Sequence, residues 1–121
     1  MRRVLSLAVA ATVLPLAAQA AQDMTPVFGN TIVSTYPDKR TAFLWLQKDG
    51  DYTGSSRKRT AMSGRWELKG DKICFKQKEP FAAPITYCLD LSSGSPEKGW
   101  SAKAVTGEPI RVTIVKGIVR Q

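Results

Sequence analysis

Hydrophobic and polar positions alternate along most of this chain in short runs broken by turn residues. Asn30–Thr35 is rich in β-branched residues and ends at Tyr36-Pro37-Asp38, a turn signal. Thr41–Gln47 (TAFLWLQ) is a continuous apolar run, too short for a helix of ordinary length. Lys48-Asp49-Gly50-Asp51 follows it, and its Asp-Gly pair predicts a hairpin into a return strand over Asp51–Gly54. Across Met62–Leu68, Trp66 and Leu68 share one face, while Arg65, Glu67 and Lys69 take the other. Gly70-Asp71 suits a two-residue turn into Lys72–Gln77. Further strands are expected over Ile85–Leu91, Trp100–Val105 and Pro109–Val115, with Ser55–Thr60 and Ser92–Gly99 as loops. About eight short strands at regular spacing, with Gly, Pro and Asp turns, predict an all-β antiparallel meander. It would close as a full or partly open barrel, or fold as a β-sandwich.

The pattern also sets a register. Alternation puts Ile73 and Phe75 on an apolar face and Lys72, Cys74 and Lys76 on the other. In the next strand Tyr87 and Leu89 are apolar, and Thr86, Cys88 and Asp90 lie opposite. Setting Cys74 against Cys88 places Phe75 against Tyr87, Ile73 against Leu89 and Lys72 against Asp90. Two apolar pairs and one opposite-charge pair agree on one alignment. Directly opposed strand positions lie close enough for a disulfide. The two cysteines are therefore expected to form an outward-facing staple, with Lys78–Pro84 (KEPFAAP) as the intervening loop.

The N-terminus departs from the strand pattern. Met1-Arg2-Arg3 is basic, Val4–Ala18 is apolar, and Ala18-Gln19-Ala20 is a small-x-small cleavage signal. The apolar run is shorter than the roughly 20 residues that span a bilayer. Residues 1–20 therefore read as a signal peptide and 21–121 as a single β-domain, periplasmic or secreted, with no transmembrane segment. An oxidising compartment makes a disulfide the default state of paired cysteines.

The chain carries 18 basic and 10 acidic residues and no histidine. Removing Arg2 and Arg3 with the signal leaves 16 basic against 10 acidic, a net charge of +6. The missing histidine excludes Ser-His and Cys-His nucleophilic catalysis and the commonest transition-metal ligand. No metal or other cofactor is expected. Ser55-Ser56-Arg57-Lys58 matches S-x-x-K, but the companion motifs of penicillin-recognising enzymes are absent. Asp49 and Asp51 are the closest carboxylate pair, and turn chemistry accounts for them. The chain is therefore read as non-catalytic.

Candidate binding residues are Arg57, Lys58 and Arg59, the densest charge in the chain; Phe81, in the middle of its loop; and Trp45 and Trp100. Phe81 either folds back over the barrel mouth, the preferred reading, or anchors a partner. Trp45 alternates with Leu44 and Leu46, which demands either a second buried surface or a ligand-facing interior. A cavity lined by Trp45, Trp66 or Trp100 would mark a site for a small apolar ligand.

Gly64-Arg65-Trp66-Glu67-Leu68, followed by Cys74, resembles a G-x-W-x-L…C arrangement in the bacterial metalloprotease-inhibitor family of lipocalin-like barrels. The resemblance implies a periplasmic eight-stranded barrel with one disulfide, and no inhibitory residue is carried over from it. The function expected is a binding or interaction domain for an acidic protein, an anionic envelope component or a small apolar ligand, with no nucleic acid involved. The alternatives are a small hydrolase using carboxylates or Ser-Lys, and a ligand-free envelope structural protein.

The staple generates the first prediction. Closing a loop of about 15 residues is worth about 3 kcal/mol from chain entropy. Cys74→Ser should therefore lower the melting temperature in circular dichroism by roughly 10 °C or more. An unchanged melting temperature, or titratable thiols in the oxidised protein, would contradict the pairing.

Overall fold

The computed structural model describes residues 24–91 and 98–121. The segment read as a signal peptide and most of the Ser92–Gly99 loop lie outside the described residues. Eight strands form: β1 Thr31–Thr35, β2 Thr41–Leu46, β3 Asp51–Ser55, β4 Ala61–Lys69, β5 Lys72–Glu79, β6 Tyr87–Asp90, β7 Trp100–Lys103 and β8 Pro109–Val115. They make one sheet in the order β6-β5-β4-β3-β2-β1-β8-β7, with every pair antiparallel. The sheet curls into a nearly closed barrel, so the sandwich alternative is set aside. No helix among the described residues is long and apolar enough to cross a membrane.

Register follows the hydrophobic pattern. β5 and β6 pair Cys74 with Cys88, Phe75 with Tyr87, Ile73 with Leu89 and Lys72 with Asp90. The disulfide is formed, with a Cα–Cα distance of 4.0 Å, and Lys72 ion-pairs with Asp90. The staple lies on the outer face, yet only Cys88 is exposed; Cys74 is buried between its strand neighbours.

The sheet's two free edges, β6 and β7, meet without a backbone ladder. Side chains bridge the seam instead. The Tyr87 hydroxyl donates to the Lys103 carbonyl at 2.6 Å, and Trp100 Nε1 donates to the Asp90 carbonyl at 2.7 Å. Burial raises the Tyr87 pKa far above the ordinary tyrosine value, so this donor keeps its proton at any physiological pH.

The interior is packed unevenly. At one end Ile32, Leu46, Ile73, Leu89 and Val112 are buried, and Trp66, Leu68 and Trp100 pack against them. The turn before β1 plugs this end: Val27 is buried in the core, and the Phe28 ring lies 5.8 Å from that of Trp66. The hairpin at Gln47–Gly50 closes over it, its Gln47 carbonyl accepting from Trp66 Nε1 at 2.8 Å.

A second apolar surface lies outside the barrel. Thr31, Phe43 and Trp45 face outward from β1 and β2, and the C-terminal segment 116–121 covers them. Thr31 Oγ1 is its anchor. It donates to the Gly117 carbonyl at 2.7 Å and accepts from Val119 N at 2.9 Å and from Trp45 Nε1 at 3.0 Å. Arg120 lies over the Trp45 ring at 5.2 Å. The alternation puzzle at Trp45 resolves as a second, partly covered outer surface: Thr31 and Phe43 are buried, Trp45 is half-buried beside them, and it does not face the interior.

The seam is open to a direct test. Tyr87→Phe leaves the Lys103 carbonyl without its donor, at a cost of about 1 kcal/mol. A melting temperature lowered by several degrees is expected, with faster amide exchange along β6 and β7. No change in either would show that the bridge does not hold the edges together.

Candidate functional site

The end opposite the plug is hollow. A cavity of about 400 Å³ opens there, inside the barrel. Its wall is apolar and aromatic: Leu44, Tyr52, Met62, Phe75, Tyr87 and Ile110. Tyr52 and Phe75 meet edge to face at 5.0 Å, and Phe75 stacks on Tyr87 at 6.2 Å. Ile85 and Val105 stand at the mouth, with Tyr36, Arg57 and Lys58.

Small residues create the space. Inward positions that carry Ile or Leu near the plug carry Ser34 and Ala42 near the mouth. Gly54 and Gly64 also face inward, and each is buried beneath a neighbouring side chain. At Gly64 the backbones crowd where the register shifts between Ser63 and Gly64. A Cβ there would meet the Lys76 carbonyl oxygen at 2.1 Å and Tyr52 Cε1 at 2.9 Å. Only glycine lets the Tyr52 ring lie flat against the wall. The Tyr52 hydroxyl has no hydrogen-bond partner among the described residues. Burial raises its pKa, so it presents a neutral O–H.

Arg57 organises the lip. Its guanidinium bonds Glu108 at 2.8 and 3.4 Å, reaches Asp38 at 3.6 Å and lies over the Tyr36 ring at 4.1 Å. One side chain on the β3–β4 loop thus joins the β1–β2 turn to the β7–β8 turn. Thr106 Oγ1 adds a bond to Glu108 at 2.9 Å. The Arg57 hydrogen bond, then that from Thr106, holds the Glu108 carboxyl below its ordinary pKa.

The Arg57-Lys58-Arg59 run serves more than one surface. Arg57 is committed to ion pairs, and Lys58 lines the cavity mouth. Arg59, in the left-handed region at φ 66°, turns toward the outer wall. Lys39, Arg40, Arg57, Lys58 and Arg59 surround a shallow basic groove there of about 610 Å³. A broader open groove of about 700 Å³ lies beside it, between Trp45, Arg59 and Arg120.

Phe81 does not fold back over the mouth. It is 62 % exposed. Its loop is tied down by backbone rather than by the ring: Gln77 Nε2 donates to the Phe81 carbonyl at 3.1 Å, and Lys76 Nζ to the Ala83 carbonyl at 2.9 Å. Trp100 seals the plugged end, and Trp45 lies outside. The cavity is thus lined by none of the three tryptophans. Its aromatic wall of Tyr52, Phe75 and Tyr87 was visible in the alternation, but there it reads as core.

The residues of the hydrolase alternative have other partners. Asp49 accepts from the Asp51 backbone N–H in its turn, Asp51 pairs with Arg65 at 2.7 Å, and Ser55 bonds the Gln121 side chain outside the barrel. No protein-family model matches this chain, and neither the curated proteins nor the solved structures searched contain a match.

The Arg57–Glu108 link predicts a pH dependence. Because the folded-state pKa of Glu108 is depressed, its stabilisation is present above the ordinary carboxylate range and is lost as pH falls through the folded value. The drop in melting temperature between pH 7 and pH 3 should be smaller in Glu108→Gln than in the unaltered protein. Equal drops would show that the pair adds nothing to stability.

Proposed function

We propose that this chain is an exported, non-catalytic binding protein of lipocalin-like build, taking a small amphipathic ligand with an acidic head. The apolar body lies among Leu44, Met62, Phe75 and Ile110, and the head meets Lys58 at the lip. The observation that carries this reading is the cavity: about 400 Å³, inside the barrel, apolar in its wall and open at one end. That volume falls within the range of small-molecule pockets, which pair an apolar lining with a few placed polar groups. The free Tyr52 hydroxyl supplies one such group, and Lys58, which forms no ion pair among the described residues, supplies another. The Cys74–Cys88 bond supports export, since such bonds persist in oxidising compartments.

Titration with cis-parinaric acid, a fluorescent fatty acid, tests this. Saturable one-to-one binding is expected, and Ala42→Phe, which fills the cavity, should abolish it while leaving the circular dichroism spectrum unchanged. Lys58→Glu should weaken the acid about tenfold and leave the methyl ester unaffected, the loss expected for one charge-assisted contact. Absence of saturable binding, or binding indifferent to Ala42→Phe in a folded protein, would overturn the proposal.

A further inference from the structure

The mouth of the barrel is also a surface. Five large apolar side chains are exposed among the described residues, and three of them stand at this end: Phe81 at 62 %, Ile85 at 60 % and Val105 at 58 %. Phe81 and Ile85 lie on the β5–β6 loop, and Val105 on the β7–β8 turn. The backbone bonds to Gln77 and Lys76 hold the first loop in place, so the rings and branches project from an ordered rim.

Cations surround them. Lys39 on the β1–β2 turn, Lys58 and Arg59 on the β3–β4 loop, Lys78 near the end of β5 and Lys103 at the end of β7 form no ion pair among the described residues. Two of the acids at this end, Asp38 and Glu108, are already engaged by Arg57. Toward the plugged end charge is internally balanced, in the pairs Arg65–Asp51, Lys69–Glu67 and Lys72–Asp90. The positive excess and the exposed apolar groups therefore coincide on one end of the barrel, around the cavity mouth.

We propose that this rim docks on an anionic phospholipid bilayer, with Phe81, Ile85 and Val105 inserted at the headgroup level and Lys39, Lys58, Arg59, Lys78 and Lys103 against the lipid phosphates. Loop-tip apolar groups ringed by lysine and arginine suit an interface that is apolar below and anionic above. An acidic protein would satisfy the cations and leave three separated apolar tips in water. In this pose the cavity faces the membrane. The docking itself stands on the rim residues, whatever the cavity holds.

Vesicle co-sedimentation of the mature protein tests the pose. Binding is expected to vesicles of phosphatidylcholine mixed with phosphatidylglycerol, to weaken as salt is raised, and to be lost on phosphatidylcholine alone. Lys39→Glu with Arg59→Glu should weaken it at least about tenfold, and Phe81→Ser severalfold. Neither variant touches the cavity, so both should bind cis-parinaric acid normally, which also reports that they fold. Phe81→Trp supplies a depth reporter. Its emission should shift to the blue and be quenched by brominated lipid, beyond the signal of the native tryptophans, which lie at the plugged end or outside the barrel wall. Failure to bind the mixed vesicles while parinaric acid still binds would overturn the docking and leave the cavity reading standing. Retention on poly-aspartate beads without vesicle binding would overturn it in favour of an acidic protein partner. Vesicle binding without parinaric acid binding would support docking and remove the cavity reading.

Discussion

Curling an eight-stranded sheet until its edges meet is the constraint on which this molecule depends. A barrel with a continuous backbone ladder has no edges to protect. Here one ladder is missing, between β6 and β7, and two side-chain bonds from Tyr87 and Trp100 stand in for it. β6 has only four residues, so little of its own backbone holds it. The disulfide to β5 keeps it in register and thereby keeps Tyr87 and the Asp90 carbonyl where β7 can reach them. If the edges part, the interior ceases to be an enclosed space, and the cavity loses one wall.

The two ends of that space differ for a reason readable residue by residue. Toward the plug, inward positions carry Ile32, Leu46, Leu68, Ile73 and Trp66, and the turn at Val27–Phe28 completes the packing. Toward the mouth, the same alternation delivers Ser34 and Ala42, which line the cavity, while Gly54 and Gly64 are covered by the Leu44, Met62 and Tyr52 side chains. A small barrel of eight strands is usually filled by its own side chains. Here Ser34 and Ala42, small residues on neighbouring strands, line the end that stays open. Arg57 then ties the turns around the opening together, giving the mouth a defined lip.

Much of the fold was legible in the sequence because it is local. Period-two alternation and the Asp-Gly and Gly-Asp turns locate the strands to within about two residues, and the Cys74–Cys88 register follows from pairs that any hairpin would have to satisfy. The site was less legible because it depends on contacts distant in sequence. Nothing near Trp45 says that residues 116–121 return to cover it; that follows from β8 pairing with β1. Arg57 and Arg59 look equivalent in the run, but Asp38 and Glu108, distant in sequence, hold Arg57 in ion pairs, while Arg59 forms none among the described residues and lines the outer grooves. Phe81 would be drawn inward by hydrophobicity alone, yet Gln77 holds its backbone and the ring stays in solvent. Tyr52, Phe75 and Tyr87 alternate as core residues do, and a pattern cannot report that the space beside them is left open.

A ligand in the hollow end of the barrel would rest among the Leu44, Met62 and Ile110 side chains. Methyl-detected NMR during titration with lauric acid tests this placement most directly. Saturable shifts are expected, confined to the Leu44, Met62 and Ile110 methyl groups, with Ile32, Ile73 and Leu89 at the plugged end unmoved. Shifts confined to residues lining the outer grooves, or no saturable shifts at all, would contradict it.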